Sequence, residues 1–340
     1  MKKKTTFRWA LVGLGQQAER MALAIKDAGH NLVAAVGTGP HVVPFLKRHG
    51  GKDFASLSQL LAEDKKNTVV DAICITSENA LHATQAVQSL RAGKDVLCEK
   101  PLALSLRDAK KIEQATRQSG AHCFVDFQYR VHPALQAARE LIRQEALGKV
   151  LYVDMHWSIG NFGETRLPPL PRHMRWRESP REAGGGALVA RGVHLFDLLR
   201  FLTRREVTEI SAHSDSSSSA VDRTMVGLCT LEGNVPAMLV SSKRMPASEN
   251  IITIHGSEGR MKIDAFTSGA SSLELVTRNK ESKKIYPPQK LFAEVIAEFA
   301  TARHGKKTHL ASILDGVHSV AITEAFTQSA RTGRRMKIPS

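Results

Sequence analysis

The chain has 340 residues, 42% hydrophobic and 24% charged, an ordinary globular balance in a length that exceeds one usual core, so two domains are expected. Lys and Arg number 48 against 33 Asp and Glu, a net charge of +15 that favours anionic ligands such as a phosphorylated cofactor. The basic residues are scattered and aromatics are only 5%, which argues against nucleic acid as a partner, and no apolar run reaches the length of a membrane span.

The opening residues combine a basic head with a short apolar stretch. Gly13 and Gly15 interrupt that stretch and the charged Glu19 and Arg20 follow it, so a buried first strand is expected rather than a secretory signal, and a cytoplasmic protein with it. The four cysteines, Cys74, Cys98, Cys123 and Cys229, form no CxxC pair and no ligand spacing. Neither a metal site nor a disulfide framework is indicated.

Residues 7–127 alternate short apolar runs with amphipathic stretches. FRWALVG reads as a strand, QQAERMALAIKDAG as a helix ending at Gly29, and NLVAAV as a second strand. HVVPFLKRHG is a short helix, VVDAICIT a strand, and a helix then runs through AVQSLRAG. DVLCEK is the next strand, followed by a helix capped by Ser105 and closed by Gly120, and AHCFVDF is the last strand. This alternation predicts a doubly wound parallel sheet.

From about residue 150 the pattern changes. LYVDMHWSIG alternates as a strand, a Gly/Pro-rich stretch follows, and GALVARGVHLFDLLRFL reads as one helix. Five β-like runs then succeed one another from VTEISAHS to SLELVTR, which predicts a large open mixed or antiparallel sheet. SDSSSSA (214–220) is an expected loop, and helices are expected at about 289–303 and 311–332. The expected domains are 1–127, a doubly wound domain of the Rossmann type, and 128–340, a second domain whose last helix is able to pack back on the first.

Gly13-Leu14-Gly15-Gln16-Gln17-Ala18 lies between the first strand and the first helix, the required context for the G-x-G-x-x-G/A turn. Gly13 permits the tight turn, Gly15 lets backbone approach a pyrophosphate at the helix N-terminus, and Ala18 allows close helix–strand packing. The second strand ends Val36-Gly37-Thr38-Gly39-Pro40-His41, without the carboxylate that binds a ribose 2′-OH. Thr38 with His41, Lys47 or Arg48 is suited to a 2′-phosphate, so NADP is preferred over NAD. For Lys47 and Arg48 a solvated helix face is the competing explanation.

Cys98-Glu99-Lys100-Pro101-Leu102 resembles the E-K-P motif of the Gfo/Idh/MocA oxidoreductases, the glucose–fructose oxidoreductase and inositol dehydrogenase family. Thr76, Asn79, His82 and the helix ending Ala92-Gly93-Lys94 look like the segment before that motif. Phe127, Arg130 and Pro133 resemble the crossover into the second domain, and Trp176 with Gly184-Gly185-Gly186 resembles the W…G-G-G stretch. Gly192, His194 and Asp197 match G-x-H-x-x-D, and the tail from Asp315 to Gly333 fits the closing helix, so the resemblance spans about 7–338.

The resemblance implies hydride transfer between a nicotinamide and a sugar, polyol or related alcohol or carbonyl, in a homodimer or homotetramer joined through the large sheet. It implies cofactor contacts from the glycine turn, Thr38, Thr76, Asn79, His82, Glu99 and Lys100. It further implies that Lys100 and His194 are catalytic. Arg130, Trp176, Arg191 and Asp197 are candidates for the substrate side, with Asp126 at a strand end where a solvent-facing carboxylate is the ordinary state. Asp197, three residues after His194, is placed to orient it or to form a structural salt bridge. One departure stands out: catalytic members carry an aspartate four residues before the histidine, and here that residue is Ala190, followed by Arg191. Either Lys100 and His194 suffice, or Asp126 or Asp197 substitutes, or redox turnover has been abandoned for a cofactor-bound sensor. A glycosidase or lyase using the nicotinamide transiently is a further alternative.

Overall fold

The computed structural model describes residues 6–160, 170–217, 220–246, 249–267, 269–303 and 305–339. Most of the Gly/Pro-rich stretch after residue 160 and part of the serine loop at 214–220 lie outside these residues. Cα packing divides the chain into two compact units. One runs to Gln128 and includes Lys290–Val317; the other comprises Tyr129–Gln289 and the chain from His318 onward. The segment 290–317, expected in the second domain, therefore belongs with the first. The reason is apolar burial: α9 (Leu291–Ala302) lays Phe299, fully buried, 4.7 Å from the Trp9 ring.

In the first unit, β1 (Arg8–Val12), β2 (Asn31–Val36), β3 (Lys52–Phe54), β4 (Ala72–Ile75), β5 (Asp95–Glu99) and β6 (Cys123–Asp126) pair in parallel in the order β6-β5-β4-β1-β2-β3. The short β15 (Ala311–Ser312) adds an antiparallel edge beside β6. Helices α1 (Gln16–Asp27), α2 (Val42–His49), α3 (Leu57–Asn67), α4 (His82–Arg91) and α5 (Leu106–Ser119) connect the strands. This is the Rossmann order, with its reversal between β1 and β4, where ligands approach the carboxyl ends of the strands. Strands buried on both faces account for the unbroken apolar runs of Ala72–Ile75 and Val96–Cys98. All four cysteines are buried, and desolvation holds the Cys74 and Cys98 thiols well above their usual range.

In the second unit, nine strands follow the order β14-β13-β12-β11-β7-β10-β9-β8-β16. They are β7 (Val150–Ser158), β8 (Val207–Ser214), β9 (Thr224–Leu231), β10 (Val235–Ser242), β11 (Asn250–Gly256), β12 (Gly259–Asp264), β13 (Ser271–Thr277), β14 (Lys280–Tyr286) and β16 (Met336–Lys337). Only β7 and β10 run parallel; every other pairing is antiparallel. Alternating burial in β9 and β10 gives the sheet one covered and one open face.

Two features depart from expectation. The run read as one helix starts with a π-helical turn, Leu188–Gly192, before α8 (Val193–Thr203), all of whose residues are buried. A further helix, α6 (Pro133–Arg143), opens with Pro133 in its first turn, and the His132 ring accepts a hydrogen bond from the Ala134 amide. The short α7 (Pro180–Ala183) and the long α10 (Ile313–Thr332) complete the helices of the described residues. No helix among them is long and apolar enough to cross a membrane.

Candidate active site

In the first unit the glycine turn is held from below. The Thr76 hydroxyl donates to Gly13 O at 2.6 Å, and the Gly13 amide donates to Val36 O at 2.9 Å. Gly13 has φ +88°, and a Cβ there would lie 2.4 Å from the Ser77 backbone, so only glycine fits. At Gly15 the opposite holds: a Cβ would meet nothing within 4 Å. Gly15 is the N-cap of α1 and no side chain caps it, so the positive end of the helix dipole is left without a side-chain acceptor. Gln16 and Thr38 are exposed, Gln17 is half-buried, and Leu14 fills the space beside Gly37. An uncapped helix start beside a bare glycine fits a dinucleotide pyrophosphate.

Three of the expected cofactor residues take supporting places. Thr76 is buried and its hydroxyl proton is directed to the Gly13 turn. His82 is 1% exposed, with Nδ1 2.8 Å from Pro101 O and Nε2 3.1 Å from Ser77 O. Burial pushes its pKa down, which favours a neutral ring whose single N–H donates to one of these two carbonyls. Asn79 is half-buried in a short 3₁₀ turn before α4. Arg48, offered as a 2′-phosphate ligand, instead pairs with Glu19 on α1, which His49 also contacts.

Lys100 follows β5 and leads into a cis peptide with Pro101. Glu99 accepts from the Lys100 amide at 3.1 Å, and both side chains are half-buried. Asp126 is in register with Glu99 on the neighbouring strand. Contrary to the expected solvent-facing carboxylate, Asp126 is 1% exposed and neither of its oxygens meets a donor. Desolvation first, then the negative charge of Glu99, raise its pKa well above the usual range; the Lys100 ammonium opposes this. A carboxyl buried without a donor favours its neutral acid form, and Asp126 lies in that state's surroundings beside the lysine.

In the second unit His194 lies on α8, 3% exposed, inside a ring of aromatics. Tyr129 is 5.0 Å away edge-on and Trp157 of β7 is 5.6 Å away, with Phe266 packing against both. Arg191 of the π-helical turn lies over Trp157 at 5.8 Å. Asp197, considered as an orienting partner of His194, receives Arg130: Nη2 donates at 2.6 Å and Nε at 2.9 Å, with both residues buried. The guanidinium also stacks on Phe201, so Arg130 and Asp197 form a buried structural pair. Trp176 is not brought to this cluster by any contact among the described residues; it lies in a 3₁₀ turn under Arg177. Position 190 is alanine, with no acid beside it in the turn.

Sequence reasoning missed Trp157, Tyr129 and Asp222. Asp222 accepts from the Gly186 amide at 2.6 Å and the Leu188 amide at 2.7 Å, fixing the start of the π-helical turn. No local signal marks it, because its partners lie 36 and 34 residues away.

A Rossmann sheet with an open glycine turn and a lysine at a strand's carboxyl end defines a nicotinamide-dependent oxidoreductase class. Comparison with known proteins gives the family. Residues 7–127 match the model of the oxidoreductase family with an NAD-binding Rossmann fold, and 135–262 match a Gfo/Idh/MocA C-terminal domain. The chain is 30% identical to 1,5-anhydro-D-fructose reductase of Ensifer adhaerens, over 97% of this chain and 98% of that one. It is 25% identical to an NADP(+)-dependent D-xylose 1-dehydrogenase of Haloferax volcanii, over 84% of each chain. Its fold resembles that of levoglucosan dehydrogenase in complex with NADH, with TM-score 0.86 and 18% identity over 99% of this chain and 100% of that one. The chain belongs to the Gfo/Idh/MocA oxidoreductase family.

Proposed function

We propose that this protein transfers a hydride between a nicotinamide cofactor and a sugar or polyol carbon, with Lys100 and His194 handling the hydroxyl proton. When bound, the nicotinamide supplies or accepts the hydride. The uncapped α1 terminus and the open space at Gly15 hold the pyrophosphate, and this observation carries the reading. Lys100 stabilises negative charge developing on the substrate oxygen. Burial drives Asp126 beside it towards the neutral form, which leaves the lysine charge less neutralised than an ionised pair of carboxylates would. His194, held by Tyr129 and Trp157, exchanges a proton from a fixed ring orientation.

NADP is the preferred cofactor, supported by the missing carboxylate after β2 and by the exposed Thr38, His41 and Lys47. A homodimer or homotetramer formed through the open sheet face is supported by Leu228 and Met238, cross-strand partners that are 55% and 37% exposed. Ala190 favours a second reading, a cofactor-bound sensor without turnover. Absorbance of the reduced cofactor, followed across sugars, polyols and keto-sugars, separates the two. Lys100→Ala is expected to lower kcat by about 10²- to 10⁴-fold while NADPH still binds. Undiminished turnover in that variant removes Lys100 from the mechanism.

A further inference from the structure

The guanidinium of Arg191 is unlike the other cations of the second unit. Its Nη1 is shut off from water and meets no acceptor among the described residues, while the residue as a whole is half-exposed. A buried donor left without an acceptor is costly, more so when it carries charge, and native structures rarely keep one without a use. The neighbouring acids do not serve it. Asp222 receives the Gly186 and Leu188 amides, and Asp197 receives Arg130. Positions 190 and 192, on either side, are alanine and glycine.

The side chain is nonetheless held in place. It lies over the Trp157 ring at 5.8 Å, and the same ring lies 5.6 Å from His194. It springs from a π-helical turn, a rare geometry that is frequent at functional sites. Burial pulls its pKa down, with Tyr129 opposing, as expected of a cation lacking a counter-ion. A prepositioned guanidinium on a half-exposed residue, with one nitrogen sheltered, is suited to an anion approaching from solvent.

We propose that Arg191 is a specificity-determining residue that binds a carboxylate of the substrate, so that this oxidoreductase acts on acidic sugars of the uronate type in preference to their neutral parents. The inference rests on the reading of the His194 cluster as the substrate side. The substrate carboxylate meets the guanidinium from its solvent side, supplies the counter-charge that the protein does not, and holds the sugar on the Trp157 face beside the imidazole.

The test is calorimetric titration of the cofactor-loaded protein with D-glucuronate, D-galacturonate, their parent hexoses and D-glucose 6-phosphate, paired with turnover of the same panel. The expected result is uronate binding about 10- to 100-fold tighter than hexose binding, the range of one charge-assisted hydrogen bond. Arg191→Gln should bring that ratio close to one, chiefly through KM, and Arg191→Lys should retain part of it. Equal binding of acid and parent, no binding of any uronate, a ratio unchanged in Arg191→Gln, or tightest binding of the phosphate ester would each overturn the proposal. A uronate preference that depends on Arg191, but without turnover of any sugar, would uphold the subsite and reject hydride transfer.

Discussion

Two glycine-bearing turns of this chain, Gly13–Gly15 in the first unit and Gly184–Gly186 in the second, look alike as letters but serve opposite ends. At Gly15 a Cβ would reach open space, and the helix behind it has no side-chain cap. At Gly186 a Cβ would lie 1.8 Å from the backbone oxygen of Asp222, and the Gly186 and Ala187 amides are already bonded to that residue. The first turn leaves the helix start behind it without a side-chain cap, open to a ligand. The second surrenders them to the fold, and by doing so it fixes the π-helical turn that carries Arg191 towards Trp157.

The largest effect expected from this contrast is on stability. Gly186→Ala forces Asp222 from its place and breaks buried hydrogen bonds, costing more than about 3 kcal/mol. Thermal unfolding followed by circular dichroism checks this; a melting temperature equal to the parent's would mean that the second turn is not filled as described.

Lys100 and Asp126 show a similar division at smaller scale. Asp126 takes up a proton on folding, because its native pKa lies above its unfolded value. The native state then binds more protons than the unfolded one, so this residue's contribution to stability declines as pH rises past the ordinary carboxylate range. Asp126→Asn removes that penalty. Its melting temperature should exceed the parent's by more at about pH 8 than at about pH 5, the difference closing as acid protonates the unfolded carboxyl. A gain independent of pH would show that Asp126 is ionised in the folded protein.

What could be read from the letters alone follows the same line. Gly13 to Ala18 is a local device in which strand, turn and helix are neighbours in the chain, so its meaning survives in sequence order. The buried runs of β4 and β5 were equally plain, because strands covered on both faces need no alternation. The filled turn was not legible, since its acceptor arrives from a loop 36 residues away. Trp157 and Tyr129 are brought to His194 by β7 and by the segment before α6, and no spacing in the chain announces such a meeting. The π-helical turn was hidden because residues 188–203 are apolar enough for either helix type. Helix α6 starts at an unusual histidine cap. The protonation of Asp126 depends on cross-strand register with Glu99, which is a property of the sheet.

The most direct test of the open first turn is titration of NADPH into the parent protein and into Gly15→Ala. The added methyl meets no protein atom, so the variant should fold with the parent's melting temperature and bind NADPH at least about tenfold more weakly, a loss of about 1.4 kcal/mol at the pyrophosphate. Equal affinity in the two proteins would contradict the placement of the cofactor on this turn.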